Sequence, residues 1–64
     1  MNEIIISDVG KTEAWCMKHI GPRLFYLHNR IGGTGWVIDR HKEKIILRVQ
    51  DKNQYLMALI KFGK

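Results

Sequence analysis

A cysteine and three histidines are the side chains of this chain that could bind a metal ion or act as a nucleophile with its base. Cys16 and His19 lie three residues apart, whereas His28 and His41 stand alone farther along the chain. A C-x-x-H pair supplies half of a zinc site, and no second pair follows at a usual spacing. No third group is spaced to orient an imidazole for nucleophilic catalysis. We therefore expect no metal, no cofactor and no enzymatic activity, and we expect Cys16 to be buried and inert.

The segment Gly10-Lys11-Thr12 follows a short apolar run and matches the end of a phosphate-binding loop. That motif, G-x-x-x-x-G-K-[ST], needs a glycine where Ile5 stands. Nucleotide hydrolysis also needs a second, metal-binding strand and a far longer chain. The segment is better interpreted as the turn before a helix.

A second glycine-rich segment spans residues 30–35, Arg-Ile-Gly-Gly-Thr-Gly. Its three glycines, Gly32, Gly33 and Gly35, would let the backbone approach a ligand closely, and their N–H groups could form an anion-binding concavity. We favour the simpler interpretation, a flexible turn between two strands, and keep the anion site as the alternative.

Basic and aromatic residues alternate through the rest of the chain. Of its 11 Lys and Arg residues nine follow residue 20, but only three of its 6 acids do, and the net charge is +5. This balance favours an anionic partner, either a nucleic acid or an acidic protein surface. We expect Arg30 and Trp36 to lie close together across the glycine turn, and Arg40 and Arg48 to share a face beside the next hairpin. The predicted partner-binding surface comprises Arg23, Arg30, Trp36, Arg40 and Arg48.

The size of the chain limits the fold that must position these residues. Its 64 residues, 45% hydrophobic and 27% charged, suffice for one small domain over residues 1–64 and leave no room for a large cleft. The single cysteine excludes an internal disulfide, and no apolar run is long enough to cross a membrane. The N-terminus lacks the basic region of a signal peptide, so we expect a cytoplasmic protein.

The apolar pattern predicts two strands and a helix in the first half of the chain. Three consecutive isoleucines at residues 4–6 predict a buried strand. Residues 12–19 predict a helix, with either Asp8 or Thr12 as its N-cap. Residues 24–28, which place aromatic and apolar side chains on both faces, predict the second strand.

Two further strands and a second helix are predicted in the rest of the chain. Residues 36–40 and 45–49 are rich in β-branched residues and are joined by a polar turn of hairpin length. Residues 53–60 could form a strand on hydrophobicity alone. Asp51 and Gln54 form a capping-box pair before them, and their leucine, methionine and alanine content favours a helix.

The resulting order β-α-β-β-β-α predicts an α+β fold, a two-layer sandwich with a small, mostly antiparallel sheet and both helices on one face. The later strands should form an antiparallel meander, and the first strand could pair parallel with a neighbour through a right-handed crossover. The open face would carry Arg48, with either Phe25 or Tyr26 and His28. A marginal core and an open face together favour a homodimer.

Two segments of the chain resemble the small accessory proteins that tailed bacteriophages encode outside their structural genes. One is the junction at residues 15–23, Trp-Cys-Met-Lys-His-Ile-Gly-Pro-Arg, and the other is residues 51–63, where an acidic cap leads into a helix ending in Lys-Phe-Gly. The resemblance implies an accessory protein of the host cytoplasm that binds and modulates a host or phage protein. It implies no mechanism and carries no functional residue to this chain.

The leading hypothesis is a non-enzymatic accessory protein that binds a host or phage protein, with inhibition as one form of modulation, because Trp and Arg dominate binding hot spots. The alternative is a small basic module that binds single-stranded nucleic acid or RNA, since arginines interleaved with aromatic residues hold phosphates and bases. The salt dependence of binding separates the two. If the arginine surface is not the site, the helical side near Trp15 is the next candidate.

Overall fold

Five strands and two helices follow one another along the chain in the computed structural model, which describes residues 2–63. The strands are β1 (Glu3–Ile6), β2 (Arg23–Tyr26), β3 (Arg30–Gly33), β4 (Trp36–His41) and β5 (Lys44–Val49), and the helices are α1 (Val9–His19) and α2 (Lys52–Phe62). All five strands form one antiparallel sheet in the order β1-β5-β4-β3-β2. The protein therefore belongs to the predicted α+β class.

Strand β3 is the main departure from the predicted order β-α-β-β-β-α. The turn predicted over residues 30–35 is wrong in its first four positions, because Arg30–Gly33 pairs with β2 on one side and β4 on the other. Glycine weakens a strand interior, but it permits another group to approach the backbone closely. A side chain on Gly32 would collide with the Phe25 ring, and one on Gly33 would collide with the Trp36 indole. These two glycines therefore make room for aromatic rings within a strand.

Strand β1 lies at one edge of the sheet and β2 at the other. The parallel pairing considered for β1 is wrong, because β1 pairs antiparallel with β5, with Ile4 opposite Leu47. β1 and β2 do run in the same direction, but the chain crosses the full width of the sheet through α1 before β2 begins. The predicted meander is confirmed, and it extends over four consecutive strands from β2 to β5.

Both helices begin after an aspartate N-cap. The side chains of Asp8 and Asp51 each accept a hydrogen bond from the backbone N–H three residues later, which satisfies an amide with no partner inside the helix. Helix α1 begins at Val9, earlier than predicted, and the alternative cap Thr12 is instead buried, with its hydroxyl donating to the Asp8 carbonyl. The helix predicted near the C-terminal end is confirmed as α2. Neither helix, within residues 2–63, has the length and apolar character needed to cross a membrane.

Alternate residues of four strands supply the core. Their buried apolar side chains lie on one side of the sheet, which we call the core face: Ile4, Ile6, Ile31, Trp36, Ile38, Leu47 and Val49. Cys16 of α1 and Ala58 of α2 belong to the same buried cluster. The Trp15 ring lies edge-on to the Phe62 ring, with centroids 5.5 Å apart, so the two helices also touch each other.

Candidate functional site

Four charged side chains form a continuous row of ion pairs across the other side of the sheet, which we call the ladder face. Arg30 Nε donates to Asp39 Oδ1 at 2.6 Å, and an Arg48 guanidinium nitrogen donates to Asp39 Oδ2. Arg48 Nε also donates to Glu3 Oε2 at 2.8 Å. The strand register creates this row, because Arg30 lies opposite Asp39 and Glu3 lies opposite Arg48. The four formal charges cancel, and both guanidinium groups are held in fixed positions.

Asp39 organises the row and was missed in the sequence analysis. Its side chain is largely buried between two arginines that were predicted to bind a partner. The available signal was its position in β4, one residue after the buried Ile38, which directs Asp39 to the opposite side of the strand. Arg30 and Arg48, two members of the predicted five-residue surface, thus lie on either side of an acid that neutralises part of their charge.

Trp36 is not part of this surface. Its side chain is only 2% exposed, and its indole N–H donates to the Gly21 carbonyl at 2.8 Å. The prediction that Arg30 and Trp36 lie close together is wrong, because Trp36 pairs with Gly33 whereas Arg30 pairs with Asp39, on the opposite side of the sheet. Trp36 therefore belongs to the core.

Arg40 and Arg48 do not share a sheet face, contrary to prediction. Arg40 lies opposite Ile45, on the same side as the core residues, while Arg48 lies on the ladder face. The two nonetheless line one groove of about 520 Å³ together with Arg30 and His41, which we call the arginine groove. Arg40 is exposed and makes no ion pair among residues 2–63.

Arg23, the fifth predicted residue, lies in β2 at the far edge of the sheet. Its guanidinium forms an ion pair with Glu13 of α1 at 2.9 Å and lies 5.2 Å from the centroid of the Tyr26 ring. The ring contact is possible because the register of β2 shifts between Arg23 and Phe25, which brings Arg23 and Tyr26 to the same side. Arg23 therefore ties the edge strand to α1.

The glycines proposed as an anion site are divided between a strand and a turn. Gly32 and Gly33 lie in β3, between two strands to which it is hydrogen-bonded. Gly35 occupies the two-residue turn before β4 with a φ of +85°, a conformation that favours glycine, and its carbonyl accepts a hydrogen bond from Gln50 N–H at 3.0 Å. An anion nest over all three glycines is incompatible with this pairing.

The Cys16 thiol sits in the core with no exposed surface. Burial, with a smaller contribution from the negative charge of Glu13, raises the pKa of Cys16 to about 12. A thiol with such a pKa stays protonated at neutral pH and is a poor nucleophile and metal ligand. Within residues 2–63 no three His, Cys, Asp or Glu side chains cluster as a metal site would require.

Helix α2 displays an apolar surface that the sequence analysis did not anticipate. Its exposed large apolar residues form what we call the α2 patch: Leu56, Met57, Leu59 and Ile60. At 3.6 residues per turn these four side chains cover an arc of roughly 160° that faces away from the buried Ala58. Ile60, at 85% exposed, is the most exposed of the large apolar residues among residues 2–63.

A groove of about 1060 Å³, the helix groove, runs beside the α2 patch between β1 and the two helices. Ile5, Trp15 and Phe62 contribute to its apolar lining, and Leu59 belongs to both the groove and the α2 patch. Its charged lining residues are two lysines and two acids: Lys11, Lys61, Glu3 and Asp8. This is the helical side near Trp15 that the sequence offered as the second location for a binding site.

Strand β2 and the residue after it form a second exposed apolar surface, which we call the edge strip: Leu24, Phe25, Tyr26 and Leu27. β2 has a strand neighbour on one side only. The Phe25 ring lies against Gly32, whereas the other three side chains are more exposed.

No family model, curated protein or solved structure matches this chain.

Proposed function

We propose that this protein is a non-enzymatic accessory protein of the phage type, and that it binds and modulates a host or phage protein in the host cytoplasm. The α2 patch carries the proposal. An apolar patch on the surface of a small protein costs solvation free energy, and such patches mark interaction sites. Leu56 and Ile60 are four residues apart and Met57 lies beside them, which is the spacing with which a helix anchors in a partner's groove.

The helix groove supports the same location. Leu59 links the α2 patch to the groove, so a partner that covers α2 can also insert a side chain between β1 and α1. The positive charges of Lys11 and Lys61 are offset by Glu3 and Asp8, so the apolar lining of the groove is what would contact a partner. The partner we propose is thus a protein with an apolar surface that fits the α2 patch and the helix groove.

We further propose that both helices cover the core face, which makes the fold a two-layer sandwich and leaves the ladder face open. Support comes from the presence of Cys16 and Ala58 in one buried cluster with the core face. The contact between Trp15 and Phe62 and the hydrogen bond from Trp36 to Gly21 favour the same arrangement.

The properties of Cys16 support the absence of catalysis in this proposal. Its buried thiol has a pKa of about 12, so it does not supply a thiolate. The imidazole of His19, the nearest base in the sequence, stacks on Trp15 with ring centroids 4.8 Å apart.

A basic nucleic-acid-binding module is the second candidate, favoured by the arginine groove. Arg30, Arg40 and Arg48 line this groove, and Arg40 is free of ion pairs among the described residues. Asp39 and Glu3 neutralise the other two arginines, which weakens the attraction for phosphate. The α2 patch is therefore the better supported site.

The two candidates are separated by capture from bacterial lysate on immobilised variants, with and without nuclease treatment of the lysate. The α2 variant carries Met57→Asp and Ile60→Asp, and the groove variant carries Arg40→Glu. The control carries Met17→Asp and Lys18→Gln, the same change in charge, because Met17 is also an exposed apolar helix residue and neither residue lines the helix groove.

We expect the wild type, the control and the groove variant to capture the same protein in similar amounts. The α2 variant should capture at least about tenfold less of it. Loss of binding with Arg40→Glu or after nuclease treatment, with the α2 variant unaffected, would instead establish the nucleic-acid candidate. If the wild type retains no protein, the proposal fails.

A further inference from the structure

The edge strip combines two properties that natural edge strands avoid. β2 ends the sheet, so one side of its backbone has no strand neighbour. Soluble proteins protect such edges with charges, prolines, bulges or short strands, because an exposed apolar edge invites pairing with another chain. In four-residue β2, Arg23 and the register shift after it protect only the beginning of the strand. No charged residue lies between Arg23 and His28, and Leu24 and Tyr26 are 69% and 64% exposed.

The exposed side chains point to both sides of the sheet. Tyr26 pairs with Ile31 and so lies on the core-face side, whereas Phe25 lies on the ladder-face side against Gly32. A helix or loop docked on one face would cover only half of the edge strip. An added strand covers both sides and also satisfies the unpaired backbone groups, as in β-strand addition.

The accessible surface of the chain is large for its mass. It measures 4705 Å², whereas a folded monomer of 7.5 kDa typically exposes about 4200 Å². The excess is more than half of the roughly 800 Å² that each partner buries in a standard interface. A chain with this surplus gains stability from association with a second copy.

We propose that two copies of this chain pair antiparallel through their β2 strands and form one continuous ten-stranded sheet. A two-fold axis perpendicular to the sheet relates the copies, so the core faces of both lie on the same side. Antiparallel pairing sets the two Arg23 side chains at opposite ends of the interface, and each is already held by Glu13 of its own chain. The central contact is then apolar, which suits self-association of a chain with net charge +5.

This dimer leaves the α2 patch exposed, because α2 contacts β1 and β5 at the other end of the sheet. The inference therefore stands apart from the proposed function, and either can fail without the other.

Sedimentation equilibrium of the full chain tests the proposal over about a hundredfold range of micromolar concentration. The edge variant carries Leu24→Lys and Leu27→Lys, which places like charges across the interface. The matched control carries Met57→Lys and Ile60→Lys, the same change in charge on the α2 patch. Far-ultraviolet circular dichroism reports whether each variant is folded.

We expect the wild type and the control to approach twice the mass of 7.5 kDa and the edge variant to stay at 7.5 kDa with its fold intact. A wild type that remains at 7.5 kDa throughout overturns the proposal. So does a dimer that persists in the edge variant or is lost in the control.

Amide hydrogen exchange of the wild type keeps the test decisive if the edge variant fails to fold. Exchange in β2 should slow as the protein concentration rises, while exchange in β1, the other edge strand, should stay constant. Equal exchange in β2 at low and high concentration would contradict strand pairing.

Discussion

Asp39 is the residue on which the charged side of the sheet depends. It accepts from both Arg30 and Arg48, whereas Glu3 accepts only from the outer side of Arg48. Loss of a buried acceptor that serves two cations costs more than loss of an exposed one, because both arginines then lose a charge-assisted bond. Asp39 is therefore the buried acid between the two arginines of the row, and Glu3 is the more exposed acid at its end.

We expect Asp39→Asn to lower the free energy of unfolding by about 1–2 kcal/mol, whereas Glu3→Gln should cost less than about 0.5 kcal/mol. Urea denaturation of the two variants measures both values. Equal costs for the two substitutions would mean that Asp39 does not hold the arginines as the ion pairs indicate.

The raised pKa of Cys16 has a consequence for stability at high pH. Its pKa is about 12 in the folded chain, against 9.0 for a free thiol. The unfolded chain therefore loses this proton first as the pH rises, and unfolding becomes more favourable between pH 9 and pH 12. Below pH 9 the thiol is protonated in both states and contributes no pH dependence.

We expect Cys16→Ala to show a shallower loss of stability above pH 9 than the wild type, measured by urea denaturation at a series of pH values. The difference between the two proteins isolates the thiol from the lysines and tyrosines that titrate in the same range. In the native state at pH 8, a thiol reagent should label Cys16 only as fast as the chain opens. Immediate labelling, or identical pH profiles for the two proteins, would contradict a buried thiol.

The turn of the β4–β5 hairpin holds a non-glycine residue in an unfavourable backbone conformation. Its register pairs His41 with Lys44, so Lys42 and Glu43 form a two-residue loop. Lys42 has a φ of 56°, a left-handed conformation that costs a non-glycine residue roughly 1–2 kcal/mol. Glycine adopts it freely but loses more entropy on folding.

The balance of these effects predicts that Lys42→Gly raises the free energy of unfolding by about 0.5–1 kcal/mol. Thermal and urea denaturation measure the change. Glu43→Gly provides the comparison. Glu43 does not have a positive φ, so glycine at this position should lower the free energy of unfolding. Stabilisation by Glu43→Gly but not by Lys42→Gly would show that the strain lies elsewhere.

The elements that follow local rules were predictable from the sequence. An aspartate N-cap depends only on residues within one helical turn. Asp8 and Asp51 therefore predict where the two helices begin. Strand β3 was missed because Gly32 and Gly33 favour a turn locally, and only contact with Phe25 and Trp36 explains them in a strand. Such tertiary contacts outweigh local propensity.

The side of α2 that faces solvent could not be predicted from local sequence either. Leu56, Leu59 and Ile60 share one side of the helix by their spacing, but the helix buries Ala58 and exposes these three. Periodicity shows that a helix has an apolar side, and the neighbouring elements decide which side is covered. Ala58 is small enough to let α2 approach β1 and β5 closely, with which it is in contact.

At the scale of the whole molecule, the two uncovered apolar surfaces lie at opposite ends of the sheet. Helix α2 contacts β1 and β5, and α1 contacts β4, so the α2 patch lies at the β1 end and the edge strip at the β2 end. A dimer through β2 would carry one α2 patch at each of its two ends. Self-association through the edge strip and partner binding through the α2 patch can therefore occur at the same time.

Partner binding by the α2 patch is the central claim, and NMR titration of the isotopically labelled chain with the captured partner tests it most directly. We expect the largest amide and methyl shift changes at Met57, Ile60 and the helix groove, with the arginine groove unchanged. Changes centred on Arg40 and His41, with α2 unaffected, would contradict the claim.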